Sequence, residues 1–319
     1  MYSFRELKPK INITSRSVEC PVIGCGTKVE RQRRSFRCEK RFYCPGHKIF
    51  ISPSTFEYEY KTENLLWKSE ADIELLEAVL KVKRECRIAR DNSEDAVSWN
   101  IFRYLETTTQ LGKLLSMLTQ TEQHQVELIY WSYSQKNHGS WPELNHARKE
   151  FGENLQRSSE PDLIVISDNG LFFIEAKLTA TNNTTPSNRN SYKKYLVGGE
   201  RWFQRIFTCD YETIAIKARK YEMLRFWLLG SWLASQTGRD FFLINLVLSG
   251  REMDIQQRFL PYIRMEPNRQ FIKATWEDIY GIIESTAPES NEKRVLQEYF
   301  RNKTIGYRLG VVQKAFSIA

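Results

Sequence analysis

The hydrophobic and polar positions of the chain alternate with two different periods. Apolar residues recur every three to four positions over residues 70–90 and again over 91–105, which predicts a helix in each range. Shorter runs rich in β-branched and aromatic residues predict strands over residues 125–134, 161–166, 171–178 and 241–248. The sequence Asp168-Asn169-Gly170 lies between the second and third of these runs, and this tight-turn signal predicts a β-hairpin.

The remaining segments complete an α/β pattern. Residues 211–236 resume helical periodicity, and residues 276–284 and 291–302 predict two closing helices. The polar stretch over residues 179–190 lacks core-forming side chains, so it predicts an exposed loop. The order helix, three strands, helix, strand therefore predicts an α/β protein with an αβββαβ core, in which helices flank a mixed central sheet.

Composition narrows the class of protein. With 41% hydrophobic and 27% charged residues among 319, the chain lies in the globular range, which argues against a fibrous or wholly disordered protein. The longest uncharged apolar stretch, residues 226–238, falls short of the ~20 residues that a membrane-crossing helix needs. The first ten residues are charged and lack a secretory pattern, so we expect a cytoplasmic protein with no membrane partner.

The positive charge is confined to the N-terminal segment. The net charge is +8, and residues 1–50 alone contain twelve Lys or Arg residues against four Glu. The remaining 269 residues hold 35 basic and 35 acidic side chains, so the whole excess lies in this segment. Such local positive charge is typical of proteins that bind a polyanion. A solvated basic segment without a partner is the alternative.

Four of the six cysteines also lie in this segment, with the spacing Cys20-x4-Cys25-x12-Cys38-x5-Cys44-x2-His47. In a reducing compartment such clustering favours zinc, whose four Cys or His ligands come most readily from two short turns. We expect Cys20, Cys25, Cys44 and His47 to bind a structural zinc ion, with Cys38 as the alternative fourth ligand. Disulfides are disfavoured by the compartment, and an iron–sulfur cluster is disfavoured because His is an unusual ligand there.

The segment resembles a zinc ribbon over residues 18–58, within an N-terminal unit of residues 1–60. A unit of this size cannot form a sufficient core, so the metal would supply folding energy. Between the two ligand turns the chain is strongly basic, and we expect four side chains to contact nucleic-acid phosphates: Arg31, Arg33, Arg34 and Arg37. Residues 61–90 are expected to form a linker helix, and residues 91–319 a second domain with a C-terminal helical extension.

The predicted hairpin places acidic side chains on apolar strands. A two-residue turn sets Asp162 opposite Glu175 in one register and opposite Lys177 in the other. Glu175 and Lys177 share a face because side chains alternate along a strand, so the three functional groups converge in both registers. Buried carboxylates are costly when unpaired, and their oxygens suit Mg²⁺ or Mn²⁺. A buried Asp–Lys–Glu ion-pair network is the alternative.

Pro161-Asp162, twelve intervening residues and then Glu175-Ala176-Lys177 resemble the signature of the PD-(D/E)XK nuclease superfamily, the fold of many restriction endonucleases. The order of predicted elements over residues 91–250 is similar to that superfamily's core, so the resemblance implies a restriction-endonuclease-like domain. It also implies that Asp162, Glu175 and the carbonyl group of Ala176 bind catalytic Mg²⁺ or Mn²⁺. Lys177 would then position the attacking water.

Two further carboxylates are candidates for the same site. Members of the superfamily often carry an acidic residue on the first core helix, and Glu94 is the best match. Alternatively, Glu94 belongs to a helix-capping box with Asp91. Glu160 lies two residues before Asp162 and shares its face, so it is either a ligand of a second metal ion or a solvent contact.

The resemblance implies an enzyme, a metal-dependent DNA endonuclease that hydrolyses phosphodiester bonds, with the zinc unit aiding DNA binding. Two alternatives stay open: an RNA-cleaving nuclease, and a non-catalytic nucleic-acid-binding protein on a nuclease-like scaffold. One active site cuts one strand per encounter, so a double-strand cutter would act as a homodimer or by sequential nicking.

Overall fold

The structure is a computed structural model that describes residues 1–83, 85–155, 160–188 and 192–318. Its helices are α1 (Glu70–Val82), α2 (Glu94–Thr107), α3 (Leu111–Thr119), α4 (Pro142–Glu150), α5 (Tyr192–Ile206), α6 (Tyr221–Thr237), α7 (Ile255–Phe259), α8 (Trp276–Thr286) and α9 (Asn291–Asn302). Its strands are β1 (Ser17–Glu19), β2 (Lys28–Glu30), β3 (Tyr43–Cys44), β4 (Ile49–Ile51), β5 (Phe56–Tyr58), β6 (Glu127–Tyr130), β7 (Tyr133–Ser134), β8 (Gly139–Ser140), β9 (Leu163–Ile166), β10 (Gly170–Ala176), β11 (Asp240–Val247), β12 (Arg269–Thr275), β13 (Thr304–Arg308) and β14 (Val311–Lys314).

The chain divides into two compact units, each built from more than one segment. Unit 1 comprises Met1–Asp72, Glu85–Thr108 and Trp276–Ala319, and unit 2 comprises Ile73–Arg84 and Thr109–Thr275. These units differ from the domains predicted at residues 1–60, 61–90 and 91–319. The difference arises because the C-terminal segment belongs with the N-terminal one, a long-range association that local periodicity does not reveal.

Unit 2 contains a seven-stranded mixed sheet with the strand order β12-β11-β10-β9-β6-β7-β8. Strands β10, β11 and β12 run parallel, whereas β9 pairs antiparallel with both β10 and β6. The short strands β7 and β8 extend the sheet by antiparallel pairing. The predicted mixed α/β class is therefore confirmed, although the hydrophobic pattern predicted neither β8 nor β12.

Helices α4, α5 and α6 supply apolar side chains that bury one face of this sheet. They form a single cluster with strand residues such as Phe173 and Phe241. Helix α6 approaches β11 closely, since a Cβ atom on Gly230 would lie 2.1 Å from the Phe241 ring. Glycine at this position lets the helix backbone pack directly on the strand. Within the described residues, no helix combines the length and the apolar character that a bilayer-crossing segment requires.

Two predicted elements are divided in the structure. The strand predicted over residues 125–134 is a hairpin of β6 and β7, because Trp131 and Ser132 take positive φ values of 30° and 55° and reverse the chain. The helix predicted over residues 211–236 consists of a π-helical turn, Thr213–Lys217, followed by α6. Both breaks lie within apolar sequence, so hydrophobic periodicity does not mark them.

Unit 1 builds its core from both ends of the chain. Strands β1 to β5 form two small antiparallel sheets, and β13 and β14 form a hairpin. Tyr307 of that hairpin is buried in one cluster with Cys20 and Cys44 of the N-terminal segment. Gly306 has a φ of 88°, and a Cβ atom there would lie 2.1 Å from the Ser54 carbonyl oxygen. The N-terminal segment therefore shares its core with the C-terminal hairpin.

Candidate metal and nucleic-acid sites

Cys20, Cys25, Cys44 and His47 come together in unit 1, with their potential ligand atoms all within 4.8 Å of one another. Cys25 Sγ lies 3.8 Å from Cys44 Sγ. His47 Nδ1 lies 3.6 Å from both Cys20 Sγ and Cys44 Sγ. Tetrahedral zinc, with bonds of about 2.3 Å to sulfur and about 2.0–2.1 Å to nitrogen, separates two sulfurs by about 3.8 Å and a sulfur from a nitrogen by about 3.5–3.6 Å. The cluster could therefore bind a metal ion such as zinc.

Two turns present these ligands. In the first turn the Cys25 N–H donates to the Val22 carbonyl oxygen at 3.2 Å, and Gly24 takes a φ of 79°. In the second turn the His47 N–H donates to the Cys44 carbonyl oxygen at 3.3 Å. The left-handed glycine helps the first turn to accommodate two more residues than a C-x2-C spacing has.

Cys38, the alternative fourth ligand, lies outside this cluster. Its side chain is exposed, and its thiol donates to Glu57 Oε1 at 3.4 Å. Among the described residues, the fourth side chain of the cluster that could hold a metal is therefore His47 rather than Cys38. The short turn Cys44-Pro45-Gly46-His47 explains this choice, because it carries His47 back towards Cys44.

A groove beside β2 is lined mainly by arginines, and we call it the arginine groove. It has a volume of about 580 Å³, and its arginines are Arg16, Arg31, Arg33, Arg34, Arg37 and Arg41. Arg31 and Arg33 each donate to a backbone carbonyl oxygen, at 3.0 and 3.3 Å. A guanidinium group has five N–H donors, so these contacts orient the side chains and leave other donors for an anion. The four arginines predicted to bind phosphates thus lie on one surface.

The hairpin of β9 and β10 fixes the position of Asp162 in unit 2. Its register pairs Leu163 with Ile174. Continued by one residue, this register sets Asp162 opposite Glu175, which is the first of the two predicted arrangements. The Ala176 N–H donates to Asp162 Oδ2 at 2.9 Å. The two carboxylates therefore lie side by side at the end of the hairpin.

Glu175 is the most buried member of this group. Glu175 is only 4% exposed to solvent, and its Oε2 atom has no hydrogen-bond partner. Burial raises the pKa of Glu175 well above its usual range, and the Asp162 carboxylate raises it further, whereas the Lys177 ammonium opposes both. A buried carboxylate oxygen without a donor, next to a second carboxylate, fits the oxygen-ligand preference of a divalent cation.

Lys177 connects the hairpin to helix α6. Its ammonium contacts Glu175 Oε1 and lies 3.5 Å from Glu222 Oε2. Glu222 occupies the first turn of α6, where its N–H donates to Thr184 Oγ1 at 2.9 Å. Sequence reasoning missed Glu222 because the helix was predicted to begin at residue 211. An acidic residue in the first turn is a common signal of a helix start. With the helix start placed at Tyr221, this signal would have drawn attention to Glu222.

The two further carboxylates are placed differently. Glu94 is the first residue of α2 in unit 1, whereas the hairpin carboxylates belong to unit 2. Ser93 caps this helix by accepting from the Ala96 N–H at 3.2 Å, so the predicted capping box with Asp91 is wrong. Asp91 is instead fully buried. Glu160 precedes β9 and is partly exposed, and its metal role stays a prediction.

A buried ion pair holds the start of α6 in place. Arg225, one turn after Glu222, donates from Nε to Glu153 Oε1 at 2.7 Å, and Tyr195 donates to the same oxygen at 2.9 Å. Burial alone would raise the pKa of Glu153, but the Arg225 guanidinium holds it below its usual range. The pair thereby stabilises the helix that carries Glu222.

Replacing Arg225 with methionine is expected to destabilise unit 2 by about 3–5 kcal/mol, because Glu153 is left buried without its cation. The folded pKa of Glu153 lies below its unfolded value, so the pair's contribution is complete at neutral pH and is lost as the pH falls through the folded pKa. Hydrogen exchange of the α6 amides measures the effect. The double replacement Glu153→Leu and Arg225→Met removes both charges and should restore most of the protection. Unchanged exchange in the single variant would contradict the role of the pair.

In the comparisons with known proteins, no family model, curated protein or solved structure matches this chain. Its function is therefore inferred from the chemistry of its own residues.

Proposed function

We propose that the chain is a metal-dependent nuclease of the PD-(D/E)XK type that hydrolyses phosphodiester bonds in DNA. The observation that carries the proposal is the convergence of Asp162, Glu175 and Lys177 at the end of the β9–β10 hairpin. The Glu175 carboxylate is buried beside a second carboxylate, that of Asp162, which is costly in a purely structural role. Strongly perturbed acidic groups of this kind concentrate at active sites.

The chain's own residues divide the chemistry among them. Asp162 and Glu175 would hold Mg²⁺ or Mn²⁺, with the Ala176 carbonyl as a further ligand. When bound, such a cation supplies Lewis-acid polarisation of a phosphate and neutralises developing charge. Lys177 would hold the attacking water by a hydrogen bond, and Glu222 would keep the Lys177 ammonium directed towards the hairpin. Glu94 belongs to unit 1, and its catalytic role stays a prediction.

The arginine groove would provide affinity for the nucleic-acid backbone. Phosphates are bound by guanidinium groups through paired N–H donors, and each neutralised phosphate releases a counterion. The Arg34 side chain is exposed and makes no hydrogen bond or ion pair with the described residues, so its donors are free for a phosphate. The zinc cluster would hold the two turns that border this basic segment.

Replacing Arg31, Arg33, Arg34 and Arg37 together by glutamine is expected to flatten the dependence of log affinity on log salt by up to about 3–4 units, since each neutralised phosphate contributes roughly 0.9. The measurement is a salt titration of DNA binding by fluorescence anisotropy. A matched control removes the same charge from exposed arginines outside the groove: Arg5, Arg87, Arg294 and Arg308. An equal loss of slope in both variants would show that net charge, and not the groove, determines affinity.

A parallel cleavage assay tests the proposed activity and its substrate. Plasmid DNA, single-stranded DNA and RNA are incubated with the purified chain, with and without Mg²⁺. The cation-free arm uses buffer passed over a chelating resin, because adding EDTA would also remove zinc. We expect cleavage of DNA only when Mg²⁺ is present. Cleavage confined to RNA would reassign the substrate, and DNA binding without cleavage would favour a non-catalytic nucleic-acid-binding protein.

A further inference from the structure

The loop that follows β10 contains a buried asparagine. The sequence predicts an exposed loop over residues 179–190, of which the structure describes 179–188. Asn182 is fully buried, so the prediction is wrong at this position. Its side-chain N–H group donates to Asn245 Oδ1 at 2.7 Å and to a Glu252 carboxylate oxygen, and its backbone N–H donates to Glu252 Oε1 at 3.0 Å. These bonds hold the loop against the end of β11.

Asn245 is the direct neighbour of Glu175 in the sheet. The two residues are Cα partners in the parallel register of β10 and β11. Register partners on adjacent strands point to the same face, so the Asn245 amide and the Glu175 carboxylate lie side by side. Asn245 is 1% exposed, and it is the polar residue that the apolar strand β11 places next to the candidate cation site.

Three buried polar atoms in this group have no hydrogen-bond partner: Glu175 Oε2, Asn182 Oδ1 and Asn245 Nδ2. Leaving such atoms unsatisfied is costly, so native proteins supply them with partners. Two of the atoms are acceptors and one is a donor. A water molecule donates two hydrogen bonds and accepts one from a neighbouring N–H, and buried waters typically make about three such bonds. The set of unpartnered atoms therefore matches one water molecule.

We propose that a buried water joins Glu175 to the Asn182–Asn245 pair, and that Asn245 is a positioning residue for the cation-binding carboxylate. The Asn245 N–H donates to the water, and the water donates to Glu175 Oε2 and Asn182 Oδ1. Glu252 accepts hydrogen bonds from the Asn182 side chain and backbone, and so orients the Asn182 amide towards Asn245 and the water. The water site stands on the unpartnered atoms alone, whereas its role in cation binding rests on the proposed nuclease function.

Replacing Asn245 is expected to weaken cation binding, because residues that hydrogen-bond to a metal ligand help to hold that ligand in place. Hydrogen bonds to a ligating carboxylate fix its orientation, and loss of such a partner typically weakens metal affinity by about 10–100-fold. Asn245→Leu keeps a similar shape and removes the amide. Leu246→Ala is the matched control, because Leu246 is buried in the same strand and points to the opposite face. The control loses stability through a cavity without touching Glu175.

Isothermal titration of Mn²⁺ into the zinc-loaded full chain tests the role of Asn245. We expect Asn245→Leu to weaken Mn²⁺ binding by about 10–100-fold, and Leu246→Ala to bind as the wild type does. Wild-type affinity in Asn245→Leu, or an equal loss in both variants, would overturn that role. If the wild-type chain binds no Mn²⁺, the proposed nuclease function fails instead. A crystal structure determined without added Mn²⁺ tests the water site. Electron density for a water within hydrogen-bond distance of the three atoms would support the site. A direct hydrogen bond between Asn245 and Glu175, or the absence of water density there, would overturn it.

Discussion

Replacing Cys44 with serine is expected to release zinc from the chain and to unfold unit 1. Zinc binding by small structural sites contributes on the order of 10–16 kcal/mol at neutral pH, so loss of one of the four ligands removes a large part of the folding energy. Cys44 is also fully buried in the cluster that contains Cys20 and Tyr307. Loss of hydrogen-exchange protection should therefore extend from the N-terminal strands to the hairpin of β13 and β14.

Zinc content and hydrogen exchange measure this result together. The purified wild-type chain should carry about one equivalent of zinc, as expected for a four-ligand site. Cys38→Ser is the matched control, because its thiol is exposed and bonded to Glu57 outside the cluster. The control should keep its zinc and its protection, and the β10 and β11 amides should stay protected in both variants. Zinc retained by Cys44→Ser, or lost from Cys38→Ser, would contradict the assigned ligands.

Addition of Mg²⁺ is expected to stabilise unit 2 of the wild-type chain and not of the Glu175→Gln variant. A ligand at one hundred times its Kd adds about 2.7 kcal/mol to the folded state. A change of that size raises Tm by about 5–10 °C in a unit of this length. Without Mg²⁺, Glu175→Gln should be at least as stable as the wild type, since it removes a charge that burial and the neighbouring Asp162 carboxylate both disfavour.

Differential scanning calorimetry of the zinc-loaded chain, with and without Mg²⁺, checks both parts of this prediction. Asp162→Asn should also lose the Mg²⁺ response, because its carboxylate lies beside Glu175. Glu127→Gln is a suitable control, since Glu127 belongs to β6 and its carboxylate accepts from Ser134. A Mg²⁺ response preserved in Glu175→Gln would show that the cation binds elsewhere.

Local sequence patterns predicted those parts of the fold that local interactions determine. Helix α9 has the predicted bounds, because Ser290 caps it by accepting from the Lys293 N–H at 3.1 Å and its apolar positions keep the helical period. The β9–β10 hairpin also formed where its turn signal lies. By contrast, α5 was missed, since Gly198-Gly199 interrupts its pattern and the following residues Glu200 and Arg201 take left-handed φ values.

The candidate sites were predictable to the extent that their residues lie close together in the chain. Cys44-x2-His47 and Glu175-x-Lys177 bring their groups together through one turn and one strand. Glu222, Asn182 and Asn245 reach the hairpin only through tertiary packing, and each looks unremarkable in its own segment. Their proposed roles rest on hydrogen bonds across long sequence separations, which no local period encodes.

The central claim is that Asp162 and Glu175 together support Mg²⁺-dependent hydrolysis of DNA. The most direct measurement is the single-turnover rate of DNA cleavage against Mg²⁺ concentration, for the wild type and for Glu175→Gln at saturating DNA. The wild-type rate should rise with Mg²⁺ to a plateau. The variant should be slower by at least about a hundredfold, because loss of even an outer partner of a metal ligand costs 10–100-fold. Equal rates in the two proteins, or cleavage that is independent of Mg²⁺, would contradict the account.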